Sequence, residues 1–559
     1  MARDPDDGDA YVFDLVEDDA PTDAAGDAEP AADPDAGAGA DPGVPPGAVP
    51  PSDPGRFRRL ALPVAAVLAV ALGTGVAVDG LRDDARRERM RDVPGGVADL
   101  SSPLAEDWAW SGVVGPGDSP TDAAVLGDVL AVRSDDGLVA LDPASGAVAW
   151  TVPLRPDADC GPTASPRGAD LSTPALVCVQ GVGVEQEAVA VGPDGALAPP
   201  RALDLEDARR YGAAHTGPDG TVLRARRVGP VSDVDLGDAT CTPAGECSGT
   251  IRAGRDLVLR AEDAVTGAER WTVTVPFRPA DAVQCTATYD AAWGGSDSRL
   301  VLSGQLAPDT FGARVAPGLV ELYGCGVQAA VTPDGAVLGT DVAPGLGGTG
   351  RLGAGYAVVR FDGVPRATLH AADGSLVGRL TGYPLAPRVS DGQGPGTVLA
   401  IDEPARRLRA YDADGAPRWD VVLQSGGQEF LAQVGDTAVV TTGAGTVRGL
   451  DLATGEERWL WDGSVDGEAG DGGYFGTASV LQALTDGETV LLVGEGGAGV
   501  ARTQVALDAG TGEVVWHREG GAPQPRAGAG RGGPDVFGGL VAVDGHLLEV
   551  TSRGVRGLV

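Results

Sequence analysis

The sequence predicts an all-β protein whose main body is an eight-bladed β-propeller, with seven or nine blades as the neighbouring counts. Three observations predict it. First, one phrase recurs: an aspartate, a glycine four residues on, and a tryptophan four residues after that. It runs Asp142, Gly146, Trp150; Asp263, Gly267, Trp271; Asp451, Gly455, Trp459; and Asp508, Gly512, Trp516. A shortened copy keeps Gly415 and Trp419. Second, the turn glycines 146, 195, 267, 335, 374, 415, 455 and 512 settle in mid-chain to intervals close to 40 residues, the length of a four-stranded blade. Third, the two ends of this region read as complementary strands, so the ring can close on itself.

Each copy reads as a β-hairpin. An alternating apolar run comes first, such as Val447–Asp451 or Gln504–Asp508, then turn formers, then a short strand carrying the tryptophan. Glycine suits the last turn position, which needs a positive φ that costs a residue with a Cβ. The aspartate can accept hydrogen bonds from amides of its own turn. Weaker copies at Gly195, Gly335 and Gly374 keep the glycine and lose the tryptophan. The C-terminal strands, ending in Val555–Val559, lack a tryptophan strand, and Glu106–Trp110 can supply it. Eight glycine turns plus this composite blade would make nine. We take one weak unit as an insertion and expect eight.

On these residues, above all Ala140–Trp150 and Ala506–Trp516, the chain resembles the PQQ-like (quinoprotein-type) β-propellers over roughly 100–559. The resemblance implies that each tryptophan docks on the next blade. That family holds quinoprotein dehydrogenases and non-enzymatic propellers, among them the lipoprotein BamB of the outer-membrane barrel assembly machinery, so the motif does not choose a function. The calcium–PQQ alcohol dehydrogenases use an asparagine at the metal and an adjacent cysteine pair. This sequence has no asparagine and no adjacent cysteines. We expect no PQQ and no other cofactor, no metal site and no catalytic residue, with closest kinship to the BamB-like branch.

Ahead of the propeller, 1–55 are rich in Asp, Ala, Pro and Gly. Such a segment cannot bury enough apolar surface to offset its ordering entropy, and we expect a disordered acidic tail. Within it, Tyr11–Asp19 clusters aromatic and aliphatic residues among acids and could dock a cytoplasmic partner. The uncharged apolar run Leu60–Val78 would span about 29 Å as a helix, matching a bilayer core. We expect a signal-anchor helix over 56–80, a juxtamembrane linker over 81–100 and the propeller over 101–559. Arginines flank the helix on both sides, so charge does not orient it. The six cysteines, Cys160, Cys178, Cys241, Cys247, Cys285 and Cys325, all follow it, as expected of an oxidising compartment. Many pairings are open; nearest-neighbour pairing is the simplest.

A net charge of −38 excludes a nucleic-acid-binding face. Lysine is absent and isoleucine occurs only at 251 and 401, the signature of a GC-rich genome and here of an actinobacterium. The four histidines lack metal-ligand spacing. Gly345–Gly350 spells G-x-G-x-x-G, but without a strand–helix context it does not read as a dinucleotide site. The acidic loop Asp462–Asp471 reads as solvated, since its spacing is not that of a calcium loop. The expected function is a non-catalytic, extracytoplasmic interaction or scaffold module of the cell envelope. It would be held in the cell membrane by one helix, N-terminus inside, and bind a protein or envelope ligand on the propeller face. The alternatives are a quinoprotein dehydrogenase with an atypical site and a transmembrane ligand sensor.

Overall fold

The computed structural model describes residues 81–559, apart from 113–122, 135, 163–171, 290–299, 303, 317, 341–346, 362, 395, 403–405, 423–428, 442–445, 464–479, 496–501 and 520–536. The acidic tail, its Tyr11–Asp19 patch, the expected helix over 56–80 and most of the acidic loop Asp462–Asp471 lie outside the described residues. No helix among the described residues is long and apolar enough to cross a membrane.

The fold is all-β, a β-propeller. Nine blades follow one another along the described chain, rather than the eight expected. They lie within 123–153, 159–202, 214–275, 311–338, 347–381, 383–422, 430–461, 480–519 and 537–558, and we number them 1 to 9 in that order. Each has four antiparallel strands; blade 7 gains a fifth, Val389–Ser390, paired parallel to its first strand. The count was misjudged because a weak repeat was taken as an insertion. Gly195, Gly335 and Gly374 each close the outer hairpin of a separate blade, just as the strong copies do. Losing the tryptophan removes one contact and not the blade.

Blade 9 is composite. Its outer strand is Glu106–Ser111, paired antiparallel to Gly554–Leu558, as the complementary ends predicted. Ala105 and Val559 exchange both backbone hydrogen bonds, so the two ends stand where other blades have a turn.

Burial falls from the inner to the outer strands in the clearest cases: Ala123–Leu126, the first strand of blade 1, is buried throughout, whereas Pro417–Val422, the fourth strand of blade 6, has no buried residue. Apolar layers fill every junction between neighbouring blades. Leu141 and Val132 of blade 1 pack with Val541 and Leu548 of blade 9, closing the ring. Val439 of blade 7 meets Val490 of blade 8, and Leu223 of blade 3 meets Val320 of blade 4. Burial at roughly 25 cal/mol per Å² of apolar surface makes these layers the main stabilising term.

Residues 90–100, within the expected linker over 81–100, are stitched into the ring. Met90 and Leu100 are fully buried. Val97 donates to the Thr485 carbonyl at 2.9 Å and Ala98 to that of Gly545 at 2.7 Å. The helical turns of 81–91 lie against blade 8, where Arg86 pairs with Glu488.

One elaboration interrupts the repeat. Residues 231–255, inside blade 3, and the described residues of 277–310, between blades 3 and 4, form a small satellite with its own core of Ala239, Ile251, Ala280 and Ala282. All six cysteines are paired: Cys160–Cys178, Cys241–Cys247 and Cys285–Cys325, the nearest-neighbour set. Arg227 at the base of the satellite is 7% exposed. It donates to the carbonyls of Arg255 at 2.8 Å, Cys325 at 2.6 Å, Thr310 at 3.1 Å and Asp309 at 3.4 Å. The Phe277 and Phe311 rings flank its guanidinium at 6.0 and 5.9 Å. Burial lowers its pKa to about 10, still far above neutrality. A planar fork with five donors fits this set of carbonyls; an ammonium cannot span it.

Arg227→Met strands these carbonyls and should destabilise the protein by about 2–4 kcal/mol in guanidinium denaturation. Arg227→Lys should recover only part of that. Wild-type stability in Arg227→Met would show that the satellite holds without this arginine.

Candidate functional site

The recurring phrase builds a latch between blades. At Asp142 the side chain accepts from the amide of Ser145 at 2.8 Å and from its hydroxyl at 2.7 Å. Asp263 holds Thr266, Asp451 holds Thr454 and Asp508 holds Thr511 in the same way. A serine or threonine just before the glycine is therefore part of the motif, a position the sequence reading passed over although it is visible in all four copies. The glycines then take φ between +67° and +86°.

Absence of a side chain matters as much as φ. A Cβ on Gly195, Gly335 or Gly455 would lie within 2.7 Å of Trp150, Trp271 or Trp419 of the preceding blade. On Gly512 it would collide with Trp459. Each indole lies on the next blade's turn glycine and donates its Nε1 hydrogen to a carbonyl there. Trp150 reaches Pro193 at 2.9 Å, Trp271 reaches Pro333 at 2.6 Å, Trp419 reaches Leu452 at 2.9 Å and Trp459 reaches Ala509 at 3.0 Å. Trp516 reaches Leu100 at 2.7 Å, because the N-terminal segment replaces the turn in blade 9. Trp108 completes the set by reaching Pro143 at 3.2 Å over Gly146. The sequence placed Glu106–Trp110 as the missing tryptophan strand; which of its two indoles docks was not legible, since the motif is split between the chain ends.

Among the described residues, three junctions lack the indole. After blade 2, Arg201 takes its place. Its guanidinium sits 3.1 Å from where a Gly267 Cβ would be, and it donates to the Ala264 carbonyl at 3.0 Å. It also shares the buried Glu262 carboxylate with Arg224 and Arg260. After blade 4, Ala336 meets Gly374 directly. After blade 5, Gly378 stands at the docking position and the Asp414–Gly415 backbone closes on it, leaving no room for a Cβ.

Beside this last junction a cleft of about 1000 Å³ opens on the outer wall. Arg360, Arg366 and Arg379 of blade 5 and Arg409 and Arg418 of blade 6 line it, with Asp420 the lining acid. Asp420 pairs with Arg407. Arg409 pairs with Asp402 at 3.2 Å and Arg418 with Asp412 at 3.3 Å. No hydrogen bond or ion pair engages the exposed Arg379 among the described residues.

The described residues bring no three His, Cys, Asp or Glu together as a metal site. With no asparagine in the chain and its cysteines paired at separations of 6, 18 and 40 residues, the residues present do not fit the calcium–PQQ centre of the dehydrogenases. Gly347–Leu352 is an antiparallel strand of blade 5, so the described part of the glycine-rich phrase opens no helix. His370 is held by Thr368 and the Gly374 carbonyl, both at 2.9 Å.

Four-stranded blades latched by such turns make the ring a β-propeller, and its later repeats are similar to a PQQ-like family. Residues 364–558, from the outer part of blade 5 to the end of blade 9, match the family described as outer membrane protein assembly factor BamB. Among solved structures, BamB from Moraxella catarrhalis is 12% identical, covering 82% of this chain and 99% of its own, with a TM-score of 0.35. The quinohemoprotein alcohol dehydrogenase ADHIIG from Pseudomonas putida is 15% identical, covering 70% of this chain and 72% of its own, with a TM-score of 0.28. No curated protein sequence matches the chain.

Trp459 and Trp516 are 7% and 6% exposed. Replacing either with alanine should cost about 3–5 kcal/mol, read as a lower Tm and denaturation midpoint. An unchanged Tm for Trp459→Ala would refute the latch.

The latch also predicts acid sensitivity. The Arg270 hydrogen bond, then the Thr266 amide, lowers the pKa of Asp263 to about 2. The Arg458 hydrogen bond lowers that of Asp451 to about 2. A depressed folded-state pKa means stability that is complete above the unfolded value near 4 and lost as pH falls toward 2. Thermal melts should therefore weaken between about pH 4 and 2. Asp451→Asn should be less stable at neutral pH and show a flatter decline over that range. A wild-type slope in that variant would count against the assignment.

Proposed function

We propose that the chain is a non-catalytic interaction or scaffold module of the cell envelope, with the ring outside the cytoplasm and the run at 60–78 as its membrane anchor. The observation that carries this reading is the match of 364–558 to a family described as an outer membrane protein assembly factor, a protein that handles other proteins. Three disulfides favour an oxidising compartment. The polar residues of the repeat are occupied in turns and latches, so the surface left for recognition is that of the loops, the satellite and the outer wall.

Crosslinking in native membranes, followed by mass spectrometry, should capture a reproducible set of envelope proteins through the ring. Protease added to intact spheroplasts should digest the ring or its loops and spare 1–55; the reverse pattern refutes the topology. Saturable dye reduction by the purified chain with PQQ and calcium would replace the scaffold reading with a dehydrogenase.

A further inference from the structure

We infer that the cleft between blades 5 and 6 is a binding site for a phosphate-bearing ligand. Acidic residues outnumber basic ones 80 to 42 in this chain, yet five arginines converge on one cavity. The convergence comes from folding: Arg360 and Thr381 both stand opposite Arg366 in the blade 5 sheet, and Arg379 stands opposite Thr368. Arg409 and Arg418 arrive from the neighbouring blade. Arg409 and Arg418 pair with Asp402 and Asp412, and Asp420, the one acid of the lining, pairs with Arg407; the exposed Arg379 side chain, which no described residue engages, is the cation left to meet a ligand.

The chemistry of the lining favours phosphate. Guanidinium forks bind its oxygens in pairs, and the hydroxyl of Thr381 adds a donor beside them. Repulsion from the rest of the acidic surface would exclude anions that cannot engage several arginines together. A volume near 1000 Å³ holds more than a single phosphate, so the fitting class is an oligophosphate or a phosphate ester. The assignment holds whichever side of a membrane the ring occupies.

Titration calorimetry on the full chain with sodium tripolyphosphate should show saturable one-to-one binding that weakens with salt. Arg379→Glu should weaken it at least tenfold and Arg314→Ala, outside the cleft, should leave it unchanged. Arg379 has an exposed side chain, so the variant should melt as wild type does. Arg379→Gln gives the same reading should the charge reversal disturb folding. Vesicles of anionic phospholipid distinguish the source: binding that is lost in Arg379→Glu assigns the site to a lipid headgroup, and binding of tripolyphosphate alone assigns it to a free ligand. No saturable binding, or equal affinity in a folded Arg379→Glu variant, overturns the site. Hexaglutamate bound as tightly as tripolyphosphate overturns the phosphate assignment.

Discussion

An indole lying on a glycine is the contact on which this ring depends. A blade alone is a small twisted sheet with two apolar faces, and each face is covered only by its neighbour. Close packing along the inner strands supplies most of the burial. The outer strands diverge with distance from the axis and need a larger group to span the gap. Tryptophan fits because it buries a large area and carries one donor, which the carbonyl of the receiving turn satisfies. The partner must be glycine for two independent reasons, its positive φ and the ring against its α-carbon. The aspartate and the serine or threonine then fix the turn, so the indole meets a preformed platform.

A second constraint holds the satellite in place. The described part of the satellite has a small core built largely of alanines and cysteines, a setting in which disulfides contribute to stability. Cys285–Cys325 ties the satellite to blade 4, and the single guanidinium of Arg227 collects carbonyls from both sides of the seam. One buried cation with several dipoles supplements a small hydrophobic core.

Much of the ring could be read from the chain because its repeat joins a strong steric rule to a strong spacing. Asp142, Gly146 and Trp150 announce a hairpin, and their recurrence announces a blade. The strand at Glu106–Ser111 was readable because the last sheet lacked an edge. The number of blades was not, since Gly195, Gly335 and Gly374 show only the turn, and a turn without its indole reads equally well as an insertion. Arg201 in the place of a tryptophan was hidden because its stacking partner, Gly267, lies far along the chain. The arginine cleft was hidden for a related reason: Arg360, Arg379 and Arg418 are scattered among ordinary surface charges, and only sheet register brings them together.

The junctions without an indole then acquire a meaning. In a ring where six tryptophans do the same task, the three exceptions are positions where a blade edge is free to carry other chemistry. After blade 2 that freedom is used for a buried Arg–Glu cluster that replaces the latch. After blade 4 the short strand Val337–Leu338 leaves a direct alanine–glycine contact. After blade 5, Gly378 lets the backbones close, and arginines from two blades face one space beside Tyr411 and Trp419. The same substitution that weakens the repeat creates the cavity. An indole at 378 would have strengthened the junction and occupied the wall, so the most divergent junction is also the most suited to hold a ligand.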